Sequence, residues 1–248
     1  MQSSRQIYLN SADASVFVGG SHSDVIWNFE DAIYVPDNYA LTLGLLNAQI
    51  PASFYTIHSN NDALEYLVGG STTSINLAHG NPNVTELISD ILSKLPSAFG
   101  LTYSATTNKL TFTNSSTFSI SGSCLPLLGF SSGTHGTTSG SLTGNQVVDL
   151  SGPRVILIES DFMTRSIDSR SKGSSNVLAS IPNSEAPGTI LAYSNLTGYF
   201  SRINARTISS LRLRLKDSAD NLVDLQGLSW SATLQVNVVE QWAIYFHR

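Results

Sequence analysis

The sequence predicts a mainly β protein, a β-sandwich interrupted by a small helix-containing α/β insertion. Segments in which apolar and polar residues alternate recur along the chain, as expected of half-buried antiparallel strands. Gly, Asn, Asp, Ser and Pro bound these segments, and one segment with helical spacing interrupts them. At 248 residues, the chain fits one all-β domain, or a core domain that carries an insertion.

The first two clear strands lie within the first 50 residues. Their alternating apolar residues are predicted to share one face of each strand: Val25, Trp27 and Phe29 in the first, and Tyr39, Leu41, Leu43 and Leu45 in the second. Both strands fit a sandwich.

A helix is predicted within the segment 83–96. Its apolar residues have helical spacing. Asn83 is a good N-cap residue with Glu86 three positions later, and Pro96 supplies a stop signal.

Short strands follow this helix, and we assign residues 76–150 to the insertion. Residues 1–75 and 151–248 are assigned to the sandwich core. The segments 131–144 and 164–175 are rich in Ser, Gly and Thr and are predicted to be exposed or partly disordered loops.

Two long amphipathic strands are predicted near the end of the chain. In the first, Leu211, Leu213 and Leu215 alternate with Arg212, Arg214 and Lys216, which points apolar side chains inward and cations outward. In its partner, the inward residues are Trp230, Ala232, Leu234, Val236 and Val238.

The charge content argues against several classes of protein. Charged residues make up 12% of the chain, about half the usual share. The net charge is −5 and there is no long basic run, so we expect no nucleic-acid binding. We also expect neither a cleaved signal nor a membrane span, because no sufficiently long apolar stretch occurs.

No cofactor and no metal ion is predicted. Cys124 is the single cysteine and is interpreted as a small buried residue. The five histidines lack zinc-ligand spacing. For the acidic turn with Asp217, Asp220 and Asp224, ordinary turn formation is favoured over a calcium site. We predict no enzymatic activity, although sequence alone leaves a convergent Ser-His-Asp set open.

Several blocks of sequence resemble one family. They are IYLNS, LTLGLLNAQIPASFYTIHSNN, GNPNVTELISDIL, NKLTFTN and LLGF in the first half, and SNVLASIP, PGTILAYSN and ISSLRLRLKDSADNLVDLQGLSWSATLQV in the second. In this order they are similar to blocks of the penton (vertex) capsid proteins of virophages, Polinton-like viruses and large DNA viruses of eukaryotes. Pro82 replaces the aromatic residue associated with the family's helix entry.

The resemblance implies a single jelly-roll β-sandwich and a structural, non-enzymatic role in the virion. It implies a homopentamer at each icosahedral fivefold vertex, with the surrounding double-jelly-roll major capsid protein as a second partner. A vertex spike or a host receptor would be a further partner. Assembly would take place inside the host cell.

Five residues are candidates for subunit contacts. Arg212 and Arg214 are predicted to face outward, where they would either pair with acidic residues of a neighbour or remain solvated. Trp242, Tyr245 and Phe246 would either anchor an interface or complete the chain's own core. The alternative function is a receptor- or carbohydrate-binding jelly-roll module on a virion surface, which would bind through its end loops.

Overall fold

A computed structural model describes residues 3–162, 167–168 and 173–240. The strands and the α-helix, in chain order, are β1 (Ser3–Asn10), β2 (Val16–Phe17), β3 (Asp24–Tyr34), β4 (Tyr39–Pro51), β5 (Ala63–Val68), β6 (Ser71–Asn76), α1 (Val84–Lys94), β7 (Phe99–Ser104), β8 (Lys109–Asn114), β9 (Phe118–Ser121), β10 (His135–Thr137), β11 (Ser141–Thr143), β12 (Val155–Ser160), β13 (Ile167–Asp168), β14 (Gly173–Ser174), β15 (Val177–Pro182), β16 (Ile190–Ser194), β17 (Ser201–Arg202), β18 (Thr207–Lys216) and β19 (Ser231–Glu240).

Two antiparallel sheets form a jelly roll. The first sheet has the order β1-β19-β4-β16, with β17 also paired to β4, and the second has the order β15-β12-β18-β3-β2. Counting β16 and β17 as one strand and leaving out the short β2 gives eight strands in these two sheets. Numbered 1 to 8 along the chain, they lie in the order 1-8-3-6 in the first sheet and 5-4-7-2 in the second. This is the strand order of a jelly roll, so the predicted fold class is confirmed.

The sandwich core consists of the inward faces of these two sheets. Leu213 and Leu215 of β18 are fully buried, as are Leu41 of β4 and Leu234 of β19. The predicted alternation is therefore confirmed on both closing strands, because successive side chains of a strand point to opposite faces. Each buried leucine contributes on the order of 2 kcal/mol through removal of apolar surface from water.

A β-bulge shifts the alternation within β4. The register with β19 moves between Thr233 and Leu234, which pair with Asn47 and Leu45 and leave Leu46 as the extra residue. Leu45 before the bulge and Ile50 after it are both buried. In a regular strand, side chains at an odd and an even position would point to opposite faces. A bulge has this effect because it adds one residue to only one strand of a pair.

The chain divides into two compact units, Met1–Phe54 with Pro153–Arg248, and Tyr55–Gly152. The second unit begins earlier than residue 76, where the sequence placed the start of the insertion. The physical reason is strand pairing: β5 and β6 form a hairpin, and β5 also pairs with β9, from Glu65↔Ser121 to Val68↔Phe118.

The second unit contains a four-stranded sheet, a three-stranded sheet and α1. As predicted, Asn83 caps the helix and forms a capping box with Glu86. Leu87 and Ile91 point into this unit's core, where Phe112 and Phe130 are fully buried. The segment 131–144, predicted to be loop, contains the short strands β10 and β11. Most of the segment 164–175 lies outside the described residues.

Candidate functional site

The outward face of the second sheet carries an ion-pair cluster. Arg212 on β18 lies opposite Ile26 of β3, and Asp24 is the partner of Arg214 in the register. The guanidinium of Arg212 donates from Nε to Asp24 Oδ1 at 2.7 Å and from Nη2 to Asp24 Oδ2 at 2.6 Å. This bidentate geometry is the strong form of an arginine–carboxylate pair. The hydrogen bond to Asp24 raises the pKa of Arg212 above its ordinary value.

Glu159 on β12 occupies the other side of this cluster. Its Oε2 lies 3.2 Å from Lys216 Nζ and 3.6 Å from Arg214 Nη2. Asp24 and Glu159 are only 4% and 3% exposed. Carboxylates removed from water to this extent require partners, because an unpaired buried charge is very costly.

Arg212 and Arg214 thus face outward as predicted, and both form ion pairs within their own chain. Their role in contacts between subunits stays a prediction. Trp242, Tyr245 and Phe246 lie outside the described residues.

The outward face of the first sheet has a different chemistry. Its central strands β19 and β4 and its edge strand β1 present amide, hydroxyl and phenol side chains at positions that alternate with buried residues: Gln6, Tyr8, Thr42, Gln49, Thr233, Gln235 and Asn237. We call these seven residues the uncharged face. Arg202 of β17, paired with Thr42, lies beside it.

Tyr8 is the aromatic member of the uncharged face, and it is 76% exposed. Its hydroxyl donates to Gln6 Oε1 at 2.6 Å, and its ring remains open to solvent. Tyrosine side chains are enriched at the centres of protein interfaces, whereas most charged residues are depleted there. The uncharged face is therefore the best candidate contact surface among the described residues.

The acidic turn between β18 and β19 is held by its own hydrogen bonds. Asp217 Oδ1 accepts from the backbone N–H groups of Ala219 and Asn221, and Asp220 pairs with Lys216. These are the turn-forming roles expected of Asp. Within the described residues, no group of three or more His, Cys, Asp or Glu side chains is placed to hold a metal ion.

Cys124 lies in the core of the second unit and is fully buried. Burial raises the pKa of its thiol to about 12, so the thiol remains protonated and unreactive at neutral pH. His79 Nε2 pairs with Asp62 Oδ2 at 2.8 Å. No cysteine or second histidine joins that pair within the described residues.

A serine–histidine pair in the second unit was missed at the sequence level. Gly129 to Gly133 read GFSSG, the G-x-S-x-G pattern of hydrolase nucleophile elbows. His135 Nε2 lies 2.8 Å from the Ser131 carbonyl oxygen and 3.3 Å from Ser131 Oγ. The nitrogen that donates to the carbonyl has no lone pair to accept the hydroxyl proton. The described residues that follow the serine form strands and turns and no helix, so this is a loop-stabilising contact.

Along the part of the chain that the structure describes, we find no helix with the length and apolar character that crossing a membrane requires.

Comparisons with known proteins found matches among solved structures. No protein-family model matches the sequence, and no curated protein was found to match it. Among solved structures, the chain is similar to the mavirus penton protein, whose crystal structure was determined with selenomethionine. The identity is 11% and the TM-score is 0.47, over 95% of this chain and 100% of the other. This match is to a protein of the kind that the sequence blocks resemble.

Proposed function

We propose that the chain is a structural capsid protein of the penton kind. Five copies form a ring at each icosahedral fivefold vertex, and the outer flank of the ring meets the surrounding double-jelly-roll major capsid protein. The mature location is the virion, and the role is non-enzymatic.

The observation that carries this proposal is the uncharged face on a jelly-roll sheet. Many jelly-roll domains are capsid subunits, and a subunit that packs between neighbours needs surfaces that lose water at little cost. Amide and hydroxyl groups such as those of Gln235 and Thr233 lose water at far lower cost than carboxylates or ammonium groups do. The ordered blocks that resemble penton proteins support the same function.

Ring formation requires two different surfaces on each subunit, because a closed ring is built from head-to-tail contacts. The two sheets offer such a pair. One presents the uncharged face, and the other presents the cluster of Asp24, Arg212, Arg214 and Glu159. We assign the ring contact to the uncharged face on one side of each subunit.

Native mass spectrometry of the purified full chain tests the proposal. The expected result is a species of five times the mass of one chain, whose population rises with protein concentration. A chain that stays monomeric at the highest soluble concentration contradicts it. A dimer would also contradict it, because a twofold contact does not build a ring of five.

A further inference from the structure

A cavity of about 320 Å³ opens between two loops of the jelly-roll unit. One wall is the loop that precedes β3, with Ser21 and His22, and the other belongs to the β18–β19 connection, with Leu222, Asp224 and Leu225. The volume is at the lower end of that of small-molecule sites. A cavity of this size holds one or two sugar rings or a molecule of similar size.

Hydrogen bonds across the chain hold these walls in place. Ser23 Oγ donates to the Val223 carbonyl, which joins the two loops directly. Trp230 Nε1 donates to the carbonyl of His22 at 2.7 Å, and Ser53 Oγ donates to that of Leu225 at 2.7 Å. The cavity is therefore preformed, and a ligand would not need to order its walls on binding.

Left-handed backbone occurs in both walls. Gly20 has φ of 74°, Gly227 has φ of 77°, and Gln226, which carries a side chain, has φ of 54°. A Cβ atom at Gly20 or Gly227 would meet nothing within 4 Å, so conformation and not space requires glycine there. Strained backbone of the kind seen at Gln226 concentrates at binding sites.

The hydrogen bonds around His22 determine its tautomer. Ser11 is fully buried, and its Oγ accepts from the backbone N–H of Trp230 at 2.9 Å. The hydroxyl proton then needs an acceptor, and His22 Nδ1 lies 3.2 Å away. Nδ1 therefore accepts, and Nε2 carries the proton. The ring is further fixed by edge-to-face contact with Phe17, at 5.0 Å between centroids.

The cavity thus combines a donor, an acceptor and apolar surface. His22 Nε2–H is the donor. Asp224 is exposed, and only its Oδ1 accepts from within the described chain, from Gln226 N at 2.8 Å. Leu222 is 44% exposed and supplies the apolar side. An anion would be repelled by Asp224, and a divalent cation would need several oxygen ligands where one carboxylate is present.

We propose that this cavity binds a neutral saccharide. Adjacent hydroxyl groups of the sugar donate to Asp224, His22 Nε2–H donates to a sugar oxygen, and the apolar face of the ring packs against Leu222. This binding does not depend on assembly. A monomeric chain that binds sugar would refute the proposed ring and leave the cavity proposal standing.

NMR titration of the full chain with glucose, galactose, mannose and N-acetylglucosamine tests the proposal, with the imidazole resonances of His22 as the readout. Comparison with His22→Gln assigns these resonances. We expect saturable shifts with at least one of these sugars. Asp224→Asn, which keeps an oxygen for the Gln226 N–H, should weaken binding about tenfold, because a charged acceptor becomes neutral. Leu222→Trp fills the cavity from an exposed position and should abolish binding.

Asp37→Asn is the matched control, because Asp37 is an exposed carboxylate paired with Arg206 and should leave the titration unchanged. The proposal is overturned if none of the four sugars shifts His22. It is also overturned if Asp224→Asn and Leu222→Trp bind as tightly as the unaltered chain. Shifts caused only by the anionic N-acetylneuraminic acid or by Ca²⁺ would assign the cavity to another ligand class.

Discussion

At the residue scale, two buried acidic side chains of the second sheet, Asp24 and Glu159, lie beside basic partners. Asp24 is 4% exposed and meets both Arg212 donors within 2.7 Å. A carboxylate buried in this way stabilises the fold only while its partner is present, since its removal leaves an uncompensated charge. The same condition applies to Glu159 beside Lys216.

Arg212→Ala is therefore expected to lower the free energy of unfolding by about 2 kcal/mol. The value lies below the range for fully buried pairs because the Arg212 side chain is 34% exposed. Urea unfolding measures the change. Arg206→Ala is the control, because its pair with Asp37 is exposed on both sides and should change stability by less than about 0.5 kcal/mol. Equal losses in the two variants would contradict the prediction.

Cys124 is expected to lower the free energy of unfolding at alkaline pH. Burial raises its pKa from 9.0 in the unfolded chain to about 12 in the folded one, so the unfolded chain releases the proton first. Stability is unaffected below about pH 9 and falls between about pH 9 and the folded-state pKa of about 12 by about 1.4 kcal/mol per pH unit from this group. Urea unfolding at several pH values, compared with Cys124→Ala, isolates the effect. Parallel pH profiles of the two proteins would count against it.

At the element scale, Gly44 of β4 leaves room for the ring of Phe200, which directly precedes β17. A Cβ atom at Gly44 would lie 2.8 Å from Phe200 Cε1 and 2.8 Å from the Tyr199 carbonyl oxygen. Gly44 faces outward between buried Leu43 and Leu45, so the ring of Phe200 covers the outer surface of β4 there. Any side chain at this position must displace that ring.

Gly44→Ala should accordingly cost about 1 to 3 kcal/mol, as for other overpacked sites. Gly136→Ala in β10 is the matched control, since its Cβ atom would meet Ser119 Cβ at an ordinary 3.4 Å. Thermal unfolding of both variants measures the difference. A Gly44→Ala protein as stable as the unaltered chain would show that Phe200 moves aside freely.

The N-cap of α1 permits a separate test. Asn83 Oδ1 accepts from the N–H groups of Thr85 and Glu86, so Asn83→Ala should destabilise the chain by about 1 kcal/mol. Ser89→Ala on the exposed side of the same helix removes only a bond to the Thr85 carbonyl and should be nearly neutral. Chemical denaturation compares the two. A cap variant that matches Ser89→Ala would refute the role of the cap.

The strands and the helix could be predicted because their signals are local. Leu213 and Leu215 alternate with cations, and Asn83 precedes the helical spacing. The bulge at Leu46 could not be predicted, since it depends on the register with β19. The acidic residue that pairs with Arg214 is 55 positions away in the chain, at Glu159, and only the strand order brings them together.

At the scale of the whole molecule, the distribution of charge distinguishes the two sheets of the jelly roll. The chain has 31 residues of the Lys, Arg, Asp and Glu types, and six of them, Asp24, Glu159, Arg212, Arg214, Lys216 and Asp220, join the cluster around the second sheet. The seven residues of the uncharged face include none, and Arg202 of β17 lies beside them. This asymmetry gives each subunit two different flanks, which is the requirement for head-to-tail closure.

Tyr8→Lys tests whether the uncharged face forms the ring. The substitution places an ammonium group where a neighbour would have to desolvate it, so each contact should weaken by at least about 2 kcal/mol. Native mass spectrometry should show the pentamer replaced by monomer. The free energy of unfolding of the monomer should change by less than about 0.5 kcal/mol, because Tyr8 is 76% exposed. Val147→Lys is the control, since Val147 is 54% exposed and lies in the second unit, on neither sheet of the jelly roll. Pentamers that survive Tyr8→Lys, or that are lost equally in Val147→Lys, would place the contact on another surface.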